Sequence, residues 1–325
     1  MQSRFPTTSL KSRSNKQQAH FPCRIWGSKI STSLVSLLAF CAVSTSNADT
    51  LVRVDTDAGS FVLNLFDESA PGTVSNFLTY IDSLAYENTL VHRSVPGFVI
   101  QGGGYRYDTD SGSLTSISRR DPITNEFSRS NVRGTIAMAK VAGDPNSATS
   151  EWFISTQDNS ANLDNQNGGF TVFGEVIGNG MAVVDTINAL STVSINNTSF
   201  TEIPLIALNG TTTADADWVN VSMRSLRTSS QFLGGKLLVA LDAGELGRAV
   251  LDFTIAESTG ATVIVLNANS VLAIDRTVAN MATYDAASGV LVIPELEVGG
   301  KVIYRNLRFA LTNPSTYAFT LQSFE

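Results

Sequence analysis

The chain of 325 residues is long enough for two domains behind a leader, and its 22 Lys+Arg against 29 Asp+Glu give a net charge of −7. Six of those cations (Arg4, Lys11, Arg13, Lys16, Arg24, Lys29) and none of the acids fall in residues 1–48, so the remainder holds 16 cations against 29 acids, a net of −13. So acidic a chain lacks the basic footprint that nucleic-acid binding needs. Cys23 and Cys41 also fall within residues 1–48, which leaves the rest of the chain no thiol for a disulfide or a metal. His92 is the only histidine beyond residue 48. A metal site would have to be built from carboxylates alone, and no acidic loop of the calcium-binding kind is present.

Lys29 is followed by an apolar stretch, residues 30–43, too short to span a bilayer comfortably. Ser46-Asn47-Ala48 then offers small residues at the two positions a signal peptidase reads. Residues 1–48 therefore read as a signal peptide cleaved after Ala48, which predicts a periplasmic or secreted protein with no membrane contact after cleavage. Residues 51–56 and 60–66 alternate as two strands joined by the hairpin signal Asp57-Ala58-Gly59. Pro71 opens a helix, where its missing N–H costs nothing, and Val74, Phe77, Leu78 and Ile81 make one apolar stripe along it. Residues 105–130, polar and containing glycine and serine, are expected as a long surface loop. Short strands are expected at 134–139, 150–155 and 170–177. A second amphipathic helix is expected at 179–190, with Val183, Ile187 and Leu190 inward. Two helices among about eight short strands fit a closed eight-stranded antiparallel barrel with two capping helices, a mainly β solution that leaves no sheet edge exposed. Residues 191–207 are expected as its last segment and 208–230 as a linker. Residues 231–325 then show strands at 237–241, 249–255, 262–266, 289–293, 301–304, 307–311 and 317–321 with turn signals between several of them. That pattern predicts a small all-β, sandwich-like domain.

The most informative run is residues 91–104, Val-His-Arg-Ser-Val-Pro-Gly-Phe-Val-Ile-Gln-Gly-Gly-Gly. Alternation puts Arg93 and Val95, with Val99 and Gln101, on one strand face around a Pro96-Gly97 turn. The run resembles the signature of the cyclophilins, the peptidyl-prolyl cis-trans isomerases. The resemblance covers residues 50–207 and rests on separate blocks. Residues 70–77 are similar to the family's first helix and 92–103 to its central strand. Residues 133–139, followed by 147–154, resemble the bacterial branch. Asn162-Leu163-Asp164 and Val172-Phe173-Gly174 complete the set, in the family's order and spacing. The chain is most similar to the periplasmic cyclophilins of Gram-negative bacteria, which implies a cyclophilin domain over 49–207.

The resemblance implies an isomerase that accelerates folding of exported proteins by twisting X–Pro bonds in unfolded or flexible polypeptides. Such rotation faces a barrier near ~20 kcal/mol but breaks no bond, so no nucleophile, metal or cofactor is needed. Arg93 matches the arginine that donates to the prolyl nitrogen as it becomes pyramidal. Gln101 matches the residue that positions that arginine and the substrate backbone, and His92 the histidine beside it. Phe98, Val99, Phe153 and Leu163 match the lining of the proline pocket, with Ala139, Glu151 and Phe170 as further substrate-contacting positions.

Several residues depart from the family. Val91 replaces a common phenylalanine, and Lys140 a frequent asparagine. Glu151 replaces the usual glutamine, where it is expected either to pair with Arg93 and compete with substrate or to face solvent. Asn162 stands where drug-sensitive members carry tryptophan, which predicts weak cyclosporin binding. Two alternatives stand beside the enzyme. Glu151 favours a low-activity module that binds proline peptides. An adhesion or surface-binding protein acting through the C-terminal β domain would use Tyr304, Phe309, Tyr317 and Phe319.

Overall fold

The computed structural model describes residues 49–195, 200–206, 217–226, 230–256 and 260–325; the signal peptide expected at 1–48 lies outside them. Alternating apolar residues make β1 (Leu51–Thr56) and β2 (Gly59–Leu65), paired antiparallel. α1 (Pro71–Asp82) starts at its proline and buries Val74, Phe77, Leu78 and Ile81, the expected stripe, together with Tyr80. Ala70 offers the helix no side-chain cap. Glu126 supplies one instead, accepting from the backbone N–H of Gly72 at 3.0 Å and of Thr73 at 2.7 Å. A carboxylate there satisfies orphan donors and complements the helix dipole.

The chain continues through β3 (Thr89–Leu90), β4 (Arg93–Val95), β5 (Val99–Gly102), β6 (Tyr105–Asp108), β7 (Ser113–Ser116), β8 (Thr135–Met138) and β9 (Trp152–Ser155). The one-turn α2 (Ser160–Leu163), β10 (Val172–Ile177) and α3 (Gly180–Asn188) follow. β11 (Thr192–Val193) and β12 (Ile203–Pro204) form a separate two-stranded sheet before β13 (Asn220–Leu226). The main sheet runs β4-β5-β9-β8-β10-β2-β1-β13-β3-β6-β7. Its two flanks meet in residues 89–95, which pair with β13 on one side and β5 on the other. At the junction, Val91 N–H donates to Val219 O and His92 N–H to Gln101 O, each at 3.0 Å. Phe77, Tyr86, Trp152 and Phe173 fill the space enclosed.

Two expectations are corrected here. The surface loop expected at 105–130 contains the β6–β7 hairpin, whose residues are only partly buried and so lack an apolar alternation. The last strand of the sheet is β13, inside the expected linker, whereas 191–207 supplies the separate β11–β12 pair. Val219, Val221 and Met223 are inward and essentially unexposed, but the polar residues around them mask that period of two.

Beyond β13 come β14 (Ser230–Leu233), β15 (Lys236–Asp242), β16 (Arg248–Ala256), β17 (Val263–Leu266), β18 (Leu272–Ile274), β19 (Ala282–Asp285), β20 (Val290–Val298), β21 (Lys301–Asn313) and β22 (Ala318–Ser323). β15, β19, β20, β21, β22, β17 and β16 pair in that order, and β16 pairs back to β15. The result is a closed seven-stranded barrel rather than the expected sandwich. Strand alternation is the same in both, and closure depends on the β15–β16 and parallel β15–β19 pairings, which no local pattern encodes.

The two sheets share an apolar cluster. Leu51, Val62, Ile177 and Leu226 pack against Leu238, Ala240, Val250 and Ile274. Gly178 permits this approach: its φ is +60°, and a Cβ there would lie 2.5 Å from Ala273 O. Among the described residues no helix is long and apolar enough to cross a membrane.

Candidate active site

Strand register assembles the site. Arg93 on β4 stands opposite Gln101 on β5, Gln101 opposite Phe153 on β9, and Phe153 opposite Ala137 on β8. Directly opposed residues of antiparallel strands share a face, so Arg93, Gln101 and Phe153 lie in one row. The β4–β5 turn closes with Phe98 N–H donating to Val95 O at 3.0 Å, and Gly97 takes the positive φ of +67° that the turn needs. α2 contributes Leu163, while Phe170 meets Phe153 edge to face with centroids 5.6 Å apart. Val99, Ala137, Phe153, Leu163 and Val172 thereby form an apolar floor, with Phe98, Ala139 and Phe170 packed against it.

Over this floor opens a cavity of about 340 Å³, lined by Arg93, Phe98, Val99, Gln101, Ala139, Phe153, Leu163 and Phe170. Lys140, Asn162 and Gln166 complete the lining. Asn162, expected at the rim, is there; Lys140 is known from the sequence only as a departure from the family, and Gln166 carries no signal in it. Lys140 Nζ donates to Asn167 O at 2.8 Å and Gly169 O at 2.6 Å, and lies 4.8 Å from the Phe170 ring centroid. Burial lowers its pKa from the ordinary lysine value.

His92 and Glu151 do not line this cavity. They line an adjoining pocket of about 210 Å³ with Arg93, Tyr105, Phe200 and Thr201. His92 follows the other face of the strand, is buried, and packs edge-on against Tyr105 at 5.0 Å. The catalytic placement expected for it gives way to a contact with Glu151, Nε2 to Oε2 at 3.3 Å. Glu151 also accepts from Gln101 Nε2 at 2.9 Å and lies 3.6 Å from Arg119 Nη2. Burial pushes the Glu151 carboxyl up, but His92, Gln101 and Arg119 together outweigh burial and hold it below its ordinary 4.5. Of the two outcomes expected for Glu151, the pair with Arg93 does not form, and with 22% of its side chain exposed and His92 beside it the carboxylate does not stand free in solvent either. Arg93 Nε donates instead to Glu202 Oε2 at 3.1 Å, a residue that sequence reasoning did not single out. Among the described residues no group of three or more His, Cys, Asp or Glu side chains is placed to hold a metal.

Fold and cavity define a mainly β protein with a cavity that has an apolar floor and an arginine at its edge. The family described as cyclophilin type peptidyl-prolyl cis-trans isomerase/CLD matches residues 51–207. The peptidyl-prolyl cis-trans isomerase A of Dickeya dadantii (strain 3937) is 38% identical over 167 residues, covering 50% of this chain and 84% of that protein. The peptidyl-prolyl cis-trans isomerase B of Escherichia coli (strain K12) is 39% identical over 148 residues, covering 44% and 86%. A crystal structure of a Cryptosporidium parvum cyclophilin type peptidyl-prolyl cis-trans isomerase, determined in the presence of the dipeptide Ala-Pro, matches 53% of this chain and 96% of that one, with 23% identity and a TM-score of 0.41. The chain belongs to the cyclophilin family.

Proposed function

We propose that the protein is a peptidyl-prolyl cis-trans isomerase acting on proline-containing, unfolded or flexible polypeptides. The observation that carries this reading is the Arg93–Gln101–Phe153 row at an apolar cavity sized for a proline ring and its neighbours. Phe98, Val99, Phe153 and Leu163 hold the ring, which has no N–H to satisfy. Arg93 donates to the prolyl nitrogen as amide conjugation is lost, a bond stronger in the twisted state than in either planar isomer. Gln101 holds the substrate backbone beside Arg93. Pairing of residues 89–95 on both flanks supports a closed barrel of eight strands, with β3 and β4 as one bent strand. A domain boundary between β13 and β14 fits the same pairing.

The leader composition supports export, with cleavage after Ala48 and folding of exported proteins in the periplasm or outside the cell as the role. Fractionation and N-terminal sequencing of the mature chain test this; a cytoplasmic protein that retains residues 1–48 refutes it. Asn162 leaves a small, polar rim on the cavity, so cyclosporin binds weakly. The enzyme reading is tested by isomerisation of a short X–Pro peptide with the purified protein and with Arg93→Ala. By the magnitude of deleting one transition-state donor, the variant loses roughly a hundredfold or more in kcat/KM. One observation favours a second reading, a proline-peptide binding module: the Gln101 amide is already engaged by Glu151. Tight peptide binding without turnover in the same assay selects it.

A further inference from the structure

We propose that Glu202 is a positioning residue for Arg93, reaching the site from 109 positions downstream; this rests on the isomerase reading above. The Glu202 carboxylate accepts from Arg93 Nε at 3.1 Å. Its own backbone is anchored beside Arg93, because Ser94 N–H donates to Glu202 O at 2.7 Å. The next two residues, Ile203 and Pro204, are buried in β12 and pair with β11. Both ends of the ion pair therefore sit on fixed backbone, and closing it costs less side-chain entropy than pairing two free surface side chains.

The choice of nitrogen matters. Arginine offers five N–H donors in a planar fork. Glu202 takes the one on Nε, and among the described residues the structure pairs neither Nη1 nor Nη2 with a protein acceptor. The terminal fork thus remains for the substrate while the guanidinium plane is held from behind. An arginine with 40% of its side chain exposed would otherwise sample many rotamers, and a misplaced donor is a poor match to the twisted amide. Glu151, for which a pair with Arg93 is one of two expected outcomes, is engaged by His92 and Gln101 and leaves Arg93 to Glu202.

The test compares Glu202→Ala, Glu202→Gln and Arg93→Ala, singly and combined, in the full chain. Glu202→Ala is expected to lower kcat about tenfold with KM little changed, as a lost orientation does. Glu202→Gln retains an acceptor for Nε–H and recovers most of the rate. In the Arg93→Ala background, Glu202→Ala has no further effect. An unchanged or raised rate for Glu202→Ala, or an equal loss with and without Arg93, overturns the proposal. A second readout does not need turnover: the Arg93 Nε–H resonance, assigned by its absence in Arg93→Ala, should exchange slowly in the wild type and faster in Glu202→Ala. If the wild type shows no isomerisation, the isomerase reading falls, and this resonance alone decides whether Glu202 holds Arg93. Wild-type exchange as fast as that of a solvated arginine overturns the positioning role.

Discussion

Replacing Arg53 with alanine tests how the two sheets are joined. Arg53 lies on β1 with 5% of its side chain exposed. Its Nη1 donates across the junction to Ser270 O at 2.6 Å and its Nε to Asp55 Oδ1 at 2.8 Å. Its Nη2 stands 4.0 Å from Asp252 Oδ2, whose side chain is also 5% exposed. Removing the guanidinium leaves Asp252, among the described residues, with Lys236 Nζ as its cationic neighbour, 3.8 Å away on a half-exposed side chain. The loss is not measured by the Coulomb attraction alone, because the desolvation of both charges is already spent. What costs is the remaining buried charge, and deleting one partner of such a pair costs about 3–5 kcal/mol. The long 4.0 Å contact places Arg53→Ala toward the lower end of that range. Urea unfolding, followed by fluorescence of Trp152 on β9 and Trp218 just before β13 and by far-UV circular dichroism for both sheets, measures the loss. Asp252→Asn added to Arg53→Ala removes the stranded charge and should restore part of the stability. A loss below about 1 kcal/mol, the range of exposed ion pairs, or no recovery with the second substitution, would refute the reasoning.

Phe77 is fully buried, with its ring centroid 4.9 Å from Phe173 and 5.4 Å from Tyr86; Phe77→Ala should cost about 3–5 kcal/mol in the same unfolding experiment. Gly178→Val combines a positive φ with a Cβ driven to 2.5 Å from Ala273 O, and should destabilise by more than about 1 kcal/mol; an unshifted midpoint would show that the two sheets separate at no cost. Glu151 has a folded-state pKa below its ordinary value, so its stabilising contribution is complete above the ordinary range and is lost as pH falls through the depressed value. Stability should therefore fall more steeply below about pH 4.5 in the wild type than in Glu151→Gln; parallel curves would mean that the carboxylate contributes nothing.

Much of the first sheet is legible in the sequence because its strands obey a strong local rule. Leu51 to Thr56 alternate, Pro71 marks a helix start, and the stripe of Val74, Phe77, Leu78 and Ile81 has helical period. What escapes is what local patterning does not carry. β13 contains Val221 and Met223 at period two, but it lies beyond a polar stretch that reads as a linker, and it is fixed by pairing with β1 far upstream in the chain. The second barrel fails in the same way. Its strands are largely recognisable one by one, including residues 301–304 and 307–311, which fuse into the single β21. Its closure is a long-range choice of partner.

The site divides along the same line. Arg93, Gln101 and Phe153 are nominated by their match to the family's blocks, and the register puts them in one row once their strands pair. His92 matches the family's histidine beside that arginine, yet neighbouring residues of an extended chain point to opposite faces, and the structure places it behind the row with Glu151. Glu202 was invisible because nothing local distinguishes an acid before Ile-Pro, and its meaning comes from the β12 segment lying against β4. The geometry also separates chemistry from attachment. The cavity is built on β4, β5, β9 and β8, at one end of the sheet order, whereas Leu51, Val62 and Leu226 meet the second barrel from β1, β2 and β13. The second barrel docks on β1, β2 and β13, away from the cavity lining, so a change at Arg53 acts on stability without touching the Arg93–Gln101–Phe153 row.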